Sequence, residues 1–220
     1  MVSMGRIEQL FSVAYYLGAS AFFLFISLDQ TAFDNFLYFF LFPFFLIEYV
    51  SLHSSIFIVG EIYSAKQGGI RFFSEKRLTK EAKELIKIVL FYVVFAGAAA
   101  FLARNPLIVG HFVFSSASKI FSLKNAPHHE QSFAFKKAAF TLFIFVTAIS
   151  AGLIALPADS QLSWEELAKI AGEKEPQVTG SPPGGLAAGL FLYFLLLAVT
   201  EFHSEKTNNF IKKLPVLEKH

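Results

Sequence analysis

An all-α integral membrane bundle is the fold class this sequence predicts, and three observations carry the prediction. Of 220 residues, 55% are hydrophobic and only 16% charged, against about 25% charged in a soluble domain. The charges gather in a few patches. Between them run apolar segments near the roughly 20 residues a helix needs to cross about 30 Å of hydrocarbon. Stretches such as FLYFFLFPFFLI, residues 36–47, also lack the every-second-residue alternation of a β-barrel strand.

Spans are expected near residues 9–28, 33–63, 84–103, 106–123, 137–156 and 186–203, forming one polytopic domain over residues 1–220. The first follows Arg6 in the manner of a signal peptide, but it is long enough to span and is read as a retained helix. The second is too long for one perpendicular crossing and too short for two. Pro43 within it removes a backbone hydrogen bond and is expected to kink it. Residues 74–87, SEKRLTKEAKELIK, are expected to lead helically into the third span. The fourth is the least regular, carrying His111, Ser115, Ser116, Ser118 and Lys119.

Charge sets the orientation. Residues 64–83 hold Lys66, Arg71, Lys76, Arg77, Lys80 and Lys83. Lys124, Lys136 and Lys137 follow on the same side, as do Lys206, Lys212, Lys213 and Lys219 in the tail. Basic loops resist translocation, so these regions and both termini are expected in the cytoplasm. Asp29, Asp34, Arg104 and the acidic stretch 157–185 are expected outside. Omitting the fourth span would move Lys136 and Lys137 out and the acidic loop in; six spans fit best.

The exterior stretch has a helix start of its own. In LSWEEL, residues 162–167, Ser163 and Glu166 form a capping-box pattern, with Leu162 and Leu167 placed for a hydrophobic staple. Trp164, Leu167, Ala168 and Ala171 share a face suited to the headgroup level or to the bundle surface. EPQVTGSPPGGL then reads as a linker.

Lipid removes most of the hydrophobic drive between helices, so close packing must replace it. Ala96 and Ala100 in span three, Ala148 with Gly152 and Ala151 with Ala155 in span five, and Gly185 with Gly189 in span six all repeat at four residues. These small pairs are expected at helix crossings, and the 29 phenylalanines are expected to face lipid or fill between helices.

The polar residues inside the spans are the candidates for function. Ionisable side chains in a bilayer cost about 2.5–3.5 kcal/mol each on insertion scales and turn toward the bundle interior. Glu48 and His53 lie in the inner part of span two, and Glu201 and His203 near the inner end of span six, at similar expected depth. At 100° per residue, Glu48, Ser51 and Ser55 share one stripe, while Tyr49 and His53 lie on another, His53 about 140° from Glu48. Glu48 therefore needs a compensating group. A protonated Glu48 bonded to a serine or a carbonyl is the structural alternative, since desolvation disfavours a bare charge. The serines near His53 are also placed to bond back to their own helix carbonyls. HHE at 128–130 reads as a solvated loop cluster.

Three functions follow from these residues. The first is a proton- or cation-linked transporter or channel, its path lined by Glu48, Ser51, His53, Ser55, Glu201 and His203. The alternative is a non-catalytic subunit or assembly factor of a larger membrane complex. A third is a b-type haem or quinone protein with His53 and His203 as axial ligands. The chain has no cysteine, hence no disulfide, thiolate site or cysteine nucleophile. No nucleophile elbow is visible, so an enzyme is not expected. Metal and cofactor stay unassigned, since no E-x-x-H or H-x-x-x-H spacing is present. The expected surroundings are lipid, in a cell membrane of prokaryotic cytoplasmic type, with a homo-oligomer or membrane-complex partner; nucleic acid is not expected, because no basic-aromatic module accompanies the lysines.

Overall fold

The computed structural model describes residues 4–28, 41–64, 73–74, 77–102, 106–155, 163, 165–166, 169 and 183–215. Among these residues seven helices form: α1 (Met4–Leu28), α2 (Phe42–Ser64), α3 (Lys80–Leu102), α4 (Leu107–Leu123), α5 (His128–Ala155), α6 (Pro183–Phe202) and α7 (Ser204–Lys213). One two-residue antiparallel ladder, β1 (Phe73–Ser74) with β2 (Arg77–Leu78), precedes α3. Helices α1, α2, α3, α5 and α6 are long and apolar enough to cross a membrane, whereas α4 has 17 residues.

Local chemistry explains the helix boundaries, and some differ from expectation. Helix α3 begins at Lys80 rather than at residue 74, because Thr79 caps it: the Ala82 N–H donates to Thr79 Oγ1 at 3.2 Å. HHE is the exposed first turn of α5 rather than a loop. Pro127 starts that turn, its carbonyl accepting from the Glu130 and Gln131 N–H groups. Pro43 sits in the first turn of α2 as described, where its missing N–H has no helical partner in any case. The expected kink depends on residues 33–40, which lie outside the described residues. So do Leu162, Trp164, Leu167, Ala168 and Ala171 with the expected staple and apolar face. The capping box itself forms: the Ser163 N–H and hydroxyl donate to Glu166 Oε2 at 2.7 and 2.9 Å, and the Glu166 N–H donates to Ser163 Oγ at 3.2 Å.

Contacts divide the chain into two compact units, residues 1–45 with 143–210 and residues 46–142 with 211–220. In the first, α1 and α6 lie antiparallel. Gln9 reaches Glu201 and Ser204, Ser20 Oγ donates to the Phe191 carbonyl at 3.2 Å, and Phe23 stacks on Phe194 with centroids 5.7 Å apart. Helices α5 and α6 meet through the expected glycines. A Cβ on Gly152 would stand 2.2 Å from the Gly189 nitrogen and 2.7 Å from the Gly185 carbonyl oxygen. One on Gly189 would stand 2.7 Å from the Ile149 Cα. Only hydrogen fits there. Ala151 and Ala155, by contrast, are exposed and make no such crossing.

In the second unit α2, α3 and α4 pack in sequence order. Val50, Tyr92, Ala96 and Phe112 form one buried cluster, and Ile58, Ile62, Leu85 and Ile120 another. As the residue number rises along α2 it falls along α3 and rises again along α4, so neighbouring helices alternate in direction. Gln131, buried at the turn into α5, donates to the Leu123 carbonyl at 3.0 Å and closes the end of α4. Tyr63 of α2 stacks on His128 and Phe135 of α5, with centroids 4.6 and 6.0 Å away. The phenylalanines divide as expected: Phe23, Phe112, Phe145 and Phe194 are buried between helices, while Phe11, Phe25, Phe101 and Phe114 point outward.

Two outcomes follow from this packing. Gly152→Ala and Gly189→Ala should each cost about 1–3 kcal/mol by forcing backbones apart, read as unfolding in detergent. The same change at Gly18 or Gly97, where a Cβ meets nothing within 4 Å, should be neutral or stabilise by about 0.5–1 kcal/mol. Equal losses at all four positions would remove the crossing from the account. The second outcome concerns Glu166, whose carboxyl the Ser163 N–H, and then its hydroxyl, hold below its ordinary range. A depressed value means the cap is complete above the ordinary carboxylate range and lost as pH falls through the lowered one. Protection of the Ser163 and Glu166 amides, taken relative to their intrinsic exchange rate at each pH, should therefore hold around neutrality and fall only on acidification.

Candidate functional site

Helix α2 carries polar groups on two sides, and each side finds a partner in the second unit. On the first lie Glu48, Ser51 and Ser55. Ser55 is buried, at 8% exposure, and its hydroxyl donates to the Ser51 carbonyl at 2.5 Å. Ser54 Oγ also donates to that carbonyl, at 3.2 Å. Both serines thus bond back to their own helix, as Ser and Thr do in apolar surroundings.

The new partner is Lys119 of α4. Its ammonium donates to Ser55 Oγ at 2.5 Å, and the Glu48 charge reaches it electrostatically. Lys119 is four residues from the end of α4 at Leu123 and one further from the basic turn at Lys124. A lysine so placed can ordinarily send its amine to the near interface along its alkyl stem. It goes the other way. Val50 clusters with Phe112, and Ile58 with Ile120, so Lys119 is level with the turn of α2 around Phe57. Ser55 and Glu48 both lie N-terminal to that level, away from Lys124. Helical side chains lean toward their own N-terminus, and Lys119 extends this lean into the apolar length of the helices. An ammonium in such surroundings needs a hydrogen-bond acceptor and a countercharge. Ser55 supplies the first and Glu48 the second.

His53 occupies the second side. Its Nδ1 shares a hydrogen bond with the Tyr92 hydroxyl of α3. The ring stacks against Tyr49 at 5.2 Å and packs against Phe57 at 5.0 Å. The separation of Glu48 and His53 around the helix is therefore realised as two different neighbours, Lys119 of α4 for one and Tyr92 of α3 for the other.

Glu201 and His203 belong to the first unit. Glu201, next to last in α6, is half-buried, and its backbone carbonyl accepts from Gln9 Nε2 at 2.7 Å. The same amide nitrogen reaches the Phe202 carbonyl at 3.2 Å and Ser204 Oγ at 3.1 Å. His203 is exposed at the junction of α6 and α7, with Nδ1 3.2 Å from the Val199 carbonyl. The Thr207 hydroxyl bridges the junction to the Thr200 carbonyl at 3.1 Å.

Among the described residues no three His, Asp or Glu side chains gather as a metal-holding set. No buried side-chain nitrogen or oxygen among them lacks a partner either. Residues the sequence reading passed over are Lys119 and Tyr92. Both had a visible signal: Lys119 is the one cation within 106–123, and Tyr92 supplies the one hydroxyl in IVLFYVVFAGAAAFLA. No protein-family model, curated protein or solved structure matches the chain.

Proposed function

We propose that the chain is a six-crossing protein of a cell membrane with both termini in the cytoplasm, and that α2 and α4 carry a path for protons or small cations. Helix direction supports the even number of crossings. If α4 did not cross, five crossings would leave α1 and α6 parallel; Gln9 against Glu201 and Ser20 against Phe191 make them antiparallel. In the second unit, Gly60 against Phe135 and Tyr63 against His128 likewise make α2 and α5 antiparallel, as an α4 that crosses requires. Seventeen residues rise about 25 Å, a shortfall that local thinning of the bilayer absorbs. Large outward-facing apolar groups, including Phe101 and Ile154 at 83% and 82% exposure, suit lipid better than water.

The observation that carries the transport reading is the file Glu48, Ser51, Ser55 and Lys119. It sets an acid and an amine on two neighbouring helices, with the buried Ser55 hydroxyl standing between the amine and the Ser51 carbonyl. Intramembrane ionisable groups mark ion and proton pathways, and this pair spends its charge inside the bundle when an interface was within reach.

Two measurements test the two parts. Single cysteines at Ser74 and Asn125, introduced into this cysteine-free chain, should react with an impermeant thiol reagent from the same side. Opposite sides would mean that α4 does not cross. In proteoliposomes, Glu48→Gln should reduce proton or cation flux to that of protein-free vesicles. Flux at the wild-type rate would end the transport reading.

A further inference from the structure

Resting on that reading, we infer that the species carried is the proton, with Lys119 as the group that takes it up and releases it, and that sodium and potassium ions are excluded. The juxtaposition behind this is an ammonium already seated on the oxygens a metal ion would need. Lys119 Nζ donates to Ser55 Oγ at 2.5 Å. Ser55 in turn commits its own proton to the Ser51 carbonyl at 2.5 Å, which also accepts from Ser54. An alkali ion entering this file would have to displace a tethered cation from the Ser55 oxygen while standing beside its positive charge. At contact distances like-charge repulsion of that kind is worth several kcal/mol in surroundings of low effective dielectric.

A proton needs no such seat. It arrives as a bond on a nitrogen lone pair: Lys119 as the neutral amine accepts H+ to become the ammonium, and gives it up to water or to a carboxylate to return. Glu48 is the carboxylate whose charge reaches this amine, and the exchange between them conserves charge. Glu48 as carboxylate with Lys119 as ammonium becomes Glu48 as acid with Lys119 as amine, and no electron moves. Other titratable groups stand on the helices packed against α4. On α2, His53 is engaged by Tyr92 of α3, Tyr49 stacks on His53, Tyr63 stacks on His128, and Glu61 lies toward the basic end; on α3, Glu84 and Lys87 pair with each other at 2.7 Å, and Lys80, Glu81 and Lys83 are exposed in the first turn. Lysine can release its proton in a water-poor site, whereas a guanidinium stays charged. That difference makes arginine at this position a diagnostic substitution.

The experiment compares ion and proton movement in the same proteoliposomes. Vesicles holding the purified full chain receive a pH jump, with membrane potential clamped by an ionophore, and internal pH is followed by a trapped dye. Parallel vesicles receive a sodium or potassium gradient at constant pH. The wild-type protein should dissipate the pH gradient and leave both metal gradients standing. Lys119→Arg, which keeps the charge, should lose the proton flux to the level of protein-free vesicles while running as a single monodisperse species in detergent. Lys119→His, which can again exchange a proton, should restore flux with a displaced pH profile. Glu48-dependent sodium or potassium flux without proton flux would overturn this inference and leave the transport reading intact. Proton flux at the wild-type rate in a folded Lys119→Arg protein would also overturn it. Should the wild-type chain move none of the three ions, both readings fall. The wild-type comparison stands even where a substituted chain does not fold.

Discussion

Polar groups in apolar surroundings must find their partners inside the molecule, and this constraint orders most of what α2 does. An isolated ammonium or carboxylate in such a medium is costly by far more than one hydrogen bond returns. Lys119 and Glu48 are therefore not independent features of two helices. Each makes the other tolerable, and the buried hydroxyl of Ser55 mediates on the lysine side. Replacing such an arrangement by well-packed apolar side chains is often neutral or stabilising. Its presence thus calls for a reason other than stability.

The helices are held in more than one way. Where α5 crosses α6, Gly152 and Gly189 bring backbone to backbone at distances no side chain permits. Along α1 and α6 the attachment is different: aromatic rings interleave and Ser20 donates across to a main-chain carbonyl. Interhelical hydrogen bonds in membrane proteins contribute about 0.6 kcal/mol on average, so none of these contacts dominates. Many small contacts spread over two long faces act together. The Gln9 amide adds a local task, meeting the carbonyls at the break between α6 and α7.

Much of the candidate site was legible before any coordinates. The stripe of Glu48, Ser51 and Ser55 and the contrary position of His53 follow from helical geometry, and the structure gives the two sides different neighbours. The demand for a group to compensate Glu48 was also legible. Its identity was not. Lys119 counted against the fourth span, because a lysine inside an apolar run reads locally as a defect. That one helix could satisfy the need of another becomes visible only when α2 and α4 lie side by side. His53 and Tyr92 repeat the lesson, since 39 residues separate the two ends of that hydrogen bond. Two helix starts differ for a smaller reason: α3 begins at Lys80 rather than residue 74, and α5 begins at His128 where a loop is expected, because Thr79 and Pro127 act as caps and apolar periodicity does not register caps.

Composition, run length and the spacing of small and polar residues determined by themselves that the chain forms long apolar helices, which residues share a face, and that Gly152 and Gly189 suit a close crossing. These are one-helix properties, set by a rise and a rotation per residue that do not depend on neighbours. Which face meets which was decided only by the tertiary structure. The direction of α1 against α6 and of α2, α3 and α4 against one another, the pairing of glycine with glycine, and the turning of Lys119 toward Ser55 rather than toward the end of α4 all depend on atoms from separate segments competing for the same space. No single stretch of sequence holds that information, because the energy of a contact belongs to both of its partners.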